Sequence, residues 1–206
     1  MPDMPAAGAW LVLFLLVQRL AELLLARTNT ARLRAAGAVE FGAGHYPLMV
    51  AMHACWLAAL WIFGHDRAVS APWLAVFILL QAARVWVIAT LGRRWTTRVL
   101  VSPGAPPIAA GPYRWLRHPN YAVVALELAV VPLMLGLPAL ALIVSAANAA
   151  MLWWRIGVEN AALGWAAGSD GAAGGDRPPP LPMRDRDDSY APGFAPGDAG
   201  CGNRRP

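Results

Sequence analysis

The chain has 206 residues, of which 58% are hydrophobic and only 14% charged. Soluble domains carry roughly 25% charged residues, so composition excludes an ordinary water-soluble globule and points to a membrane protein. The net charge of +5 comes from 17 basic residues, all of them Arg. No basic stripe on a polar face accompanies it, which weakens a nucleic-acid reading, and the absence of Lys removes Schiff-base lysine chemistry.

A membrane-spanning helix needs about 20 mostly apolar residues. The first such run is 7–26; it holds Arg19 and Glu22 and lacks a convincing cleavage site, so it reads as a retained span rather than a signal peptide. A second run covers about 46–63 and a third 71–91. A fourth starts near Tyr121 and ends near Leu135, and a fifth runs from Pro138 to about Trp154. Gly136, Leu137 and Pro138 break the last two into a helical hairpin. The fold class expected is therefore all-α, a polytopic membrane protein of about five transmembrane helices with a C-terminal helical hairpin.

Arg27, Arg32 and Arg34 follow the first run, and Arg93, Arg94, Arg98, Arg114 and Arg117 follow the third. The positive-inside rule puts those loops in the cytoplasm, the N-terminus outside and the C-terminus inside. Residues 164–206 change character, with 9 Gly and 7 Pro among 43 residues. They cannot bury enough apolar surface to offset chain entropy. The expected organisation is a transmembrane domain over 1–163, its cofactor-binding part about 93–163, and a disordered cytoplasmic tail over 164–206. The two cysteines, Cys55 and Cys201, suggest neither a disulfide framework nor a zinc site, and no metal is expected.

Ionisable residues inside spans are costly and usually face a partner or a cavity. Arg19 and Glu22 share a helical face, as do Gln81 and Arg84. Each pair reads either as a structural contact or as a wall of a substrate cavity. Glu127 has no basic neighbour in its own span, so it needs Arg19 or Arg84 as a partner, or else serves substrate binding. His45 and His53 lie about 12 Å apart along a straight helix, too far to share one metal. A lone His is commonly a hydrogen-bonded core residue; His45, beside Glu40 and Tyr46, is the better candidate for a general base.

The densest polar cluster is Gly111-Pro-Tyr-Arg-Trp-Leu-Arg-His-Pro-Asn-Tyr121, just before an apolar run. Pro119 disfavours helix at His118 and leaves nearby backbone groups free to meet a polar ligand. An aromatic and basic membrane anchor would explain the Arg and Trp, but not Gly-Pro, His-Pro and Asn together. A second constellation, Arg155-Ile-Gly-Val-Glu159-Asn160, puts Arg and Glu on one face at the end of the last run. Alone it reads as a terminal ion pair.

Together the two constellations resemble the isoprenylcysteine carboxyl methyltransferase family. Gly111-Pro112-Tyr113, then Arg117-His118-Pro119-Asn120-Tyr121, an apolar hairpin, and Arg155 with Glu159 carry the similarity over about 90–163. Arg19, Glu22, the segment 37–40 and His45-Tyr46-Pro47 resemble the small bacterial members. The resemblance implies S-adenosylmethionine as cofactor, held by Ala105, Pro106, Pro107, Ile108, Tyr113, His118, Pro119, Asn120 and Glu159. It also implies that Arg155 contacts the substrate, with His45 as a base for a phenol or enol. The activity implied is O-methylation of a lipid-like acceptor in the bacterial inner membrane. That acceptor is a phenolic lipid or alkylpyrone, with a type III polyketide synthase as pathway partner, or an isoprenylcysteine carboxylate. One departure stands out: many members carry two adjacent acids where Glu159 is followed by Asn160. Alternatives are an NADPH-dependent reductase of the sterol-reductase type, a phospholipid N-methyltransferase and a non-catalytic membrane scaffold.

Overall fold

The computed structural model describes residues 7–102 and 108–169. Five helices account for most of it: α1 Ala7–Ala35, α2 His45–Gly64, α3 Ala71–Leu91, α4 Pro119–Met134 and α5 Pro138–Ser169. Four have the length and apolarity to cross a membrane: α1, α2, α3 with the 3₁₀ turn that follows it, and α5 through Gly164. The short α4, at 16 residues, is only about 24 Å long against a hydrocarbon core of about 30 Å. It forms the first arm of the expected hairpin with α5.

Proline opens the later helices. Pro72, Pro119 and Pro138 sit in the first turns of α3, α4 and α5, where a missing N–H costs nothing and φ is already helical. The helices turn apolar faces outward: Leu13, Phe14, Val17, Ile78, Leu79, Leu142, Ile143 and Trp153 are all exposed. An apolar surface that extensive fits lipid as its solvent. At the end away from the Arg-rich loops the bundle closes on a dry core. Leu15, Trp56, Leu60, Leu128, Val131, Met134 and Leu135 are buried there together.

Midway along α1, α3 and α4 lies a polar network. Arg19 donates to Glu22 at 2.8 Å and to Glu127 at 2.5 Å. Arg84 donates to Glu22 at 2.7 Å and also to Glu127. Gln81 donates to Glu127 at 2.7 Å and accepts from Gln18 at 2.6 Å. The Glu127 side chain is fully buried and that of Arg84 nearly so. Glu127 thus has both basic partners considered from sequence, and its carboxylate is held by protein groups. As a substrate-binding residue it would have to share them.

The Arg-rich end is held by a feature that helical periodicity does not announce. Strands β1, Val39–Phe41, and β2, Val99–Val101, pair antiparallel with Glu40 opposite Leu100. Phe41, Val99 and Val101 bury against Val158 and Ala162 of α5. Asn29 donates to the carbonyl of Trp95 at 2.8 Å, and the Thr30 and Thr96 hydroxyls meet at 2.7 Å. Arg98 donates to Glu40 at 2.5 Å and lies over the Tyr46 ring. Helix α5 continues to Ser169, past the domain boundary expected at 163. Just before that boundary, Val158 and Ala162 pack against the sheet. The rest of the expected tail, 170–206, lies outside the described residues.

Removing one partner of a buried charge network strands the others at a cost of about 3–5 kcal/mol. Glu127→Ala should therefore lower the thermal unfolding midpoint of the detergent-solubilised protein sharply. Glu127→Gln, which keeps hydrogen-bonding capacity, should cost less. Equal and small effects from both would show that the network does not hold the helices.

Candidate functional site

The site is built where α4 begins and α5 leaves the apolar bundle. His118 precedes α4 with φ −130° and ψ 61°, outside the helical region, and Pro119 takes the first helical position. The imidazole stacks on the Tyr121 ring, centroids 5.2 Å apart and planes 6° from parallel. Tyr121 in turn presents its hydroxyl to α5. There it accepts a hydrogen bond from Arg155 Nε at 2.8 Å and donates to Glu159 Oε2. Arg155 and Glu159 are one helical turn apart, so they bracket one phenol.

Arg155 is buried and almost fully engaged. Its Nη2 donates to the Thr97 carbonyl at 2.8 Å, and Nη1 meets the Met49 thioether at 3.1 Å. Glu159 is more open. Its Oε1 lies 3.7 Å from His118 Nδ1, beyond hydrogen-bond range, and both side chains keep partial exposure, 27% for Glu159 and 18% for His118. The result is a carboxylate with one oxygen fixed by Tyr121 and the other near an imidazole, on a partly exposed side chain.

Tyr113 completes the rim. It sits in the 3₁₀ turn Gly111–Arg114, seated on the end of α3. Gly111 has φ +54°, and a Cβ there would lie 2.5 Å from Thr90 Oγ1. Only glycine makes that turn so close to α3. Burial, and then the negative charge of Glu159, push the Tyr113 phenol up to about 12.

A family model for isoprenylcysteine carboxyl methyltransferase (ICMT) matches residues 73–164, the stretch containing every one of these groups from α4 and α5. An uncharacterized protein of Bacillus subtilis (strain 168), YpbQ, is 39% identical over 160 residues, covering 75% of this chain and 95% of YpbQ. The chain belongs to the ICMT family. It is accordingly an integral membrane protein of a methyltransferase family whose enzymes use S-adenosylmethionine. No solved structure matches the chain.

The structure brings together several of the residues singled out from this ICMT member's sequence. Tyr113, His118, Pro119, Arg155 and Glu159 share one region, with Asn120 half-buried beside Pro119. Ile108 is described and half-buried; Ala105, Pro106 and Pro107 lie outside the described residues. Glu127 lies deeper, in the polar network. His45 is buried, its ring against Trp154, centroids 5.7 Å apart. A Cβ on Gly42 would fall 2.6 Å from His45 Nδ1, so that ring edge is pressed against backbone and Nδ1 has no hydrogen-bond partner.

Two contributors escaped the sequence reading. Tyr121 was visible within the cluster, but its use as the link between Arg155 and Glu159 needs the α4–α5 hairpin. Met49 carried no signal beyond its place four residues after His45. An open pocket of about 530 Å³ lies at the opposite end of the bundle, lined by Arg67, Ser70, Trp73, Leu135 and Gly136 among others. It touches none of the groups above.

The donor set suits a sulfonium nucleoside. A partly open carboxylate can face the ligand's cationic amino-acid end, and the stacked His118 and Tyr121 rings lie beside it. The Tyr113 phenol remains a hydrogen-bond donor. Because that phenol keeps its proton until about pH 12, Tyr113→Phe should leave the shape of the pH–rate profile unchanged up to about pH 10. An alkaline limb near the ordinary tyrosine value, present in the wild type and lost in the variant, would contradict this placement.

Proposed function

We propose that the chain is an S-adenosylmethionine-dependent O-methyltransferase whose acceptor is an amphiphile carrying a phenolic or enolic hydroxyl. The observation that carries this reading is the Arg155–Tyr121–Glu159 bracket at the mouth of the α4–α5 hairpin. Glu159, His118 and Tyr113 would hold the cofactor. When bound, it supplies an electrophilic methyl. The protein's task is alignment of the acceptor oxygen with that methyl, an effect that can supply several kcal/mol of the acceleration.

Arg155 bears on the acceptor class. A carboxylate is best held by a guanidinium in a two-pronged contact. Here Nε and Nη2 are committed to Tyr121 and Thr97, and only the weak thioether contact at Nη1 is readily displaced. That leaves one prong, enough to position a hydroxyl or ring oxygen, and favours a phenolic lipid or alkylpyrone over an isoprenylcysteine carboxylate. Such an acceptor implies a type III polyketide synthase as pathway partner. The apolar tail of the acceptor would lie among the lipid-facing helices.

The Arg-rich loops share one end of the bundle with the site. By the positive-inside rule that end faces the cytoplasm, with the N-terminus outside, in a bacterial inner membrane.

Binding separates this reading from an NADPH-dependent reductase. Detergent-purified protein should bind S-adenosylhomocysteine and not NADPH by calorimetry. Loss of a hydrogen bond to a charged group costs about 1.5–3 kcal/mol, so Glu159→Gln should weaken that binding about 10- to 100-fold. NADPH binding without S-adenosylhomocysteine binding would overturn the assignment. Transfer of a methyl to a farnesylcysteine carboxylate, with none to a long-chain alkylresorcinol, would replace the acceptor class.

A further inference from the structure

The inward stripe of α2 is His45, Met49, His53, Trp56 and Leu60. Its outer half, Trp56 and Leu60, seals into the apolar core. Its other half is polar and points at chemistry. Met49 touches Arg155 through sulfur, and its carbonyl is 2.9 Å from His53 Nδ1. A carbonyl oxygen only accepts, so Nδ1 carries the hydrogen and the neutral ring keeps its lone pair on Nε2. Among the described residues nothing hydrogen-bonds Nε2, and the side chain is only partly buried. His45, by contrast, is sealed with Nδ1 against Gly42.

The place of His53 is specific. It lies one helical turn, about 6 Å, deeper than the Met49 contact with Arg155. It follows Met49 on the inward stripe and precedes the buried Trp56. It therefore stands between the Arg155 contact and the apolar core, with a ring nitrogen that has no partner among the described residues. An amphiphile whose headgroup meets Arg155 and whose tail stays in lipid would bring its polar ring to this level.

We propose that His53 Nε2 is the general base that takes the acceptor's hydroxyl proton. The inference rests on the O-methyltransferase reading above. The O–H bond breaks and its proton passes to Nε2. The freed oxygen pair forms the new O–C bond to the transferred methyl, while the C–S pair stays on sulfur. The imidazolium returns its proton to solvent after the product leaves. His53, not the sealed His45, then determines that the site works on hydroxyls that are still protonated.

Two probes of different acidity test this: a long-chain alkylphenol, and a nitro-substituted alkylphenol that is already ionised at an alkaline assay pH. A general base contributes about 10²- to 10⁴-fold. His53→Gln should thus lower kcat for the alkylphenol at least about 100-fold and leave the nitro probe nearly unaffected. Raising the pH should recover the alkylphenol rate in the variant, as the hydroxyl ionises unaided. A second readout needs no turnover. Bound beside S-adenosylhomocysteine near neutral pH, the nitro probe should show more phenolate absorption with wild type than with His53→Gln.

Calorimetric binding of S-adenosylhomocysteine should be unchanged in His53→Gln and His53→Asn, which shows that the fold survives. Equal losses with both probes, no loss with either, or loss of that binding in both variants overturns the proposal alone. Wild-type protein that binds S-adenosylhomocysteine yet methylates neither probe overturns the phenolic reading, and this proposal with it.

Discussion

The architecture turns on one buried carboxylate. Glu127 sits inside the bundle between the guanidiniums of Arg19 and Arg84, at a depth where an unpaired charge costs a few kcal/mol even on lenient scales. With Glu22 the four ionised groups sum to zero. Their hydrogen bonds are directional, so α1, α3 and α4 can adopt only the registers that satisfy them. Apolar packing in lipid lacks that specificity, because a helix face of leucines is as well solvated by hydrocarbon as by a neighbour. Tyr121 lies six residues before Glu127, about 9 Å along α4. Fixing the carboxylate therefore fixes the height at which the His118–Tyr121 stack meets α5.

The second constraint acts from the other side. The β1–β2 pair ties the segment after α1 to the segment after α3, and α5 lays Val158 and Ala162 across it. Glu159 follows Val158 directly, so burying one orients the other. Thr97, two residues before β2, gives its carbonyl to Arg155. The Arg–Tyr–Glu bracket is thus held by the network through α4 and by the sheet through α5. A bracket assembled from two independently anchored elements keeps its geometry. Preorganisation of this kind is what alignment-driven methyl transfer requires.

Much of this was legible without coordinates, and the reasons are physical. Apolar runs of membrane length are strong local signals, and α3 occupies 71–91 as read. Proline before an apolar run marks a helix start, and α4 begins at Pro119. Glu127 demanded a basic partner, and only Arg19 and Arg84 lay in other spans. What stayed hidden depends on contacts distant in sequence. Each strand is three residues long, and Val39 pairs with Val101 across 62 positions, which no local periodicity encodes. Without the sheet there was no sign that Val158 and Ala162 would be buried beyond the last apolar run. The free nitrogen of His53 was equally invisible, because it follows from which side of α2 faces Arg155. Family membership carried the chemistry further than the residues did, since Arg155 and Glu159 alone read as a terminal ion pair.

The charge network within the bundle and the Arg–Tyr–Glu bracket at its Arg-rich end are separate features of this small membrane protein. The buried ions set helix register, while His118 and Glu159 stay partly exposed at the bundle's Arg-rich end. The most direct test is a density map of the protein in a lipid nanodisc with S-adenosylhomocysteine. The ligand should lie against Tyr113, His118 and Glu159 at the Arg-rich end of the bundle. Density instead in the cavity bordered by Arg67, Ser70 and Trp73, or a ligand-bound map with Glu159 out of reach of it, would contradict the account.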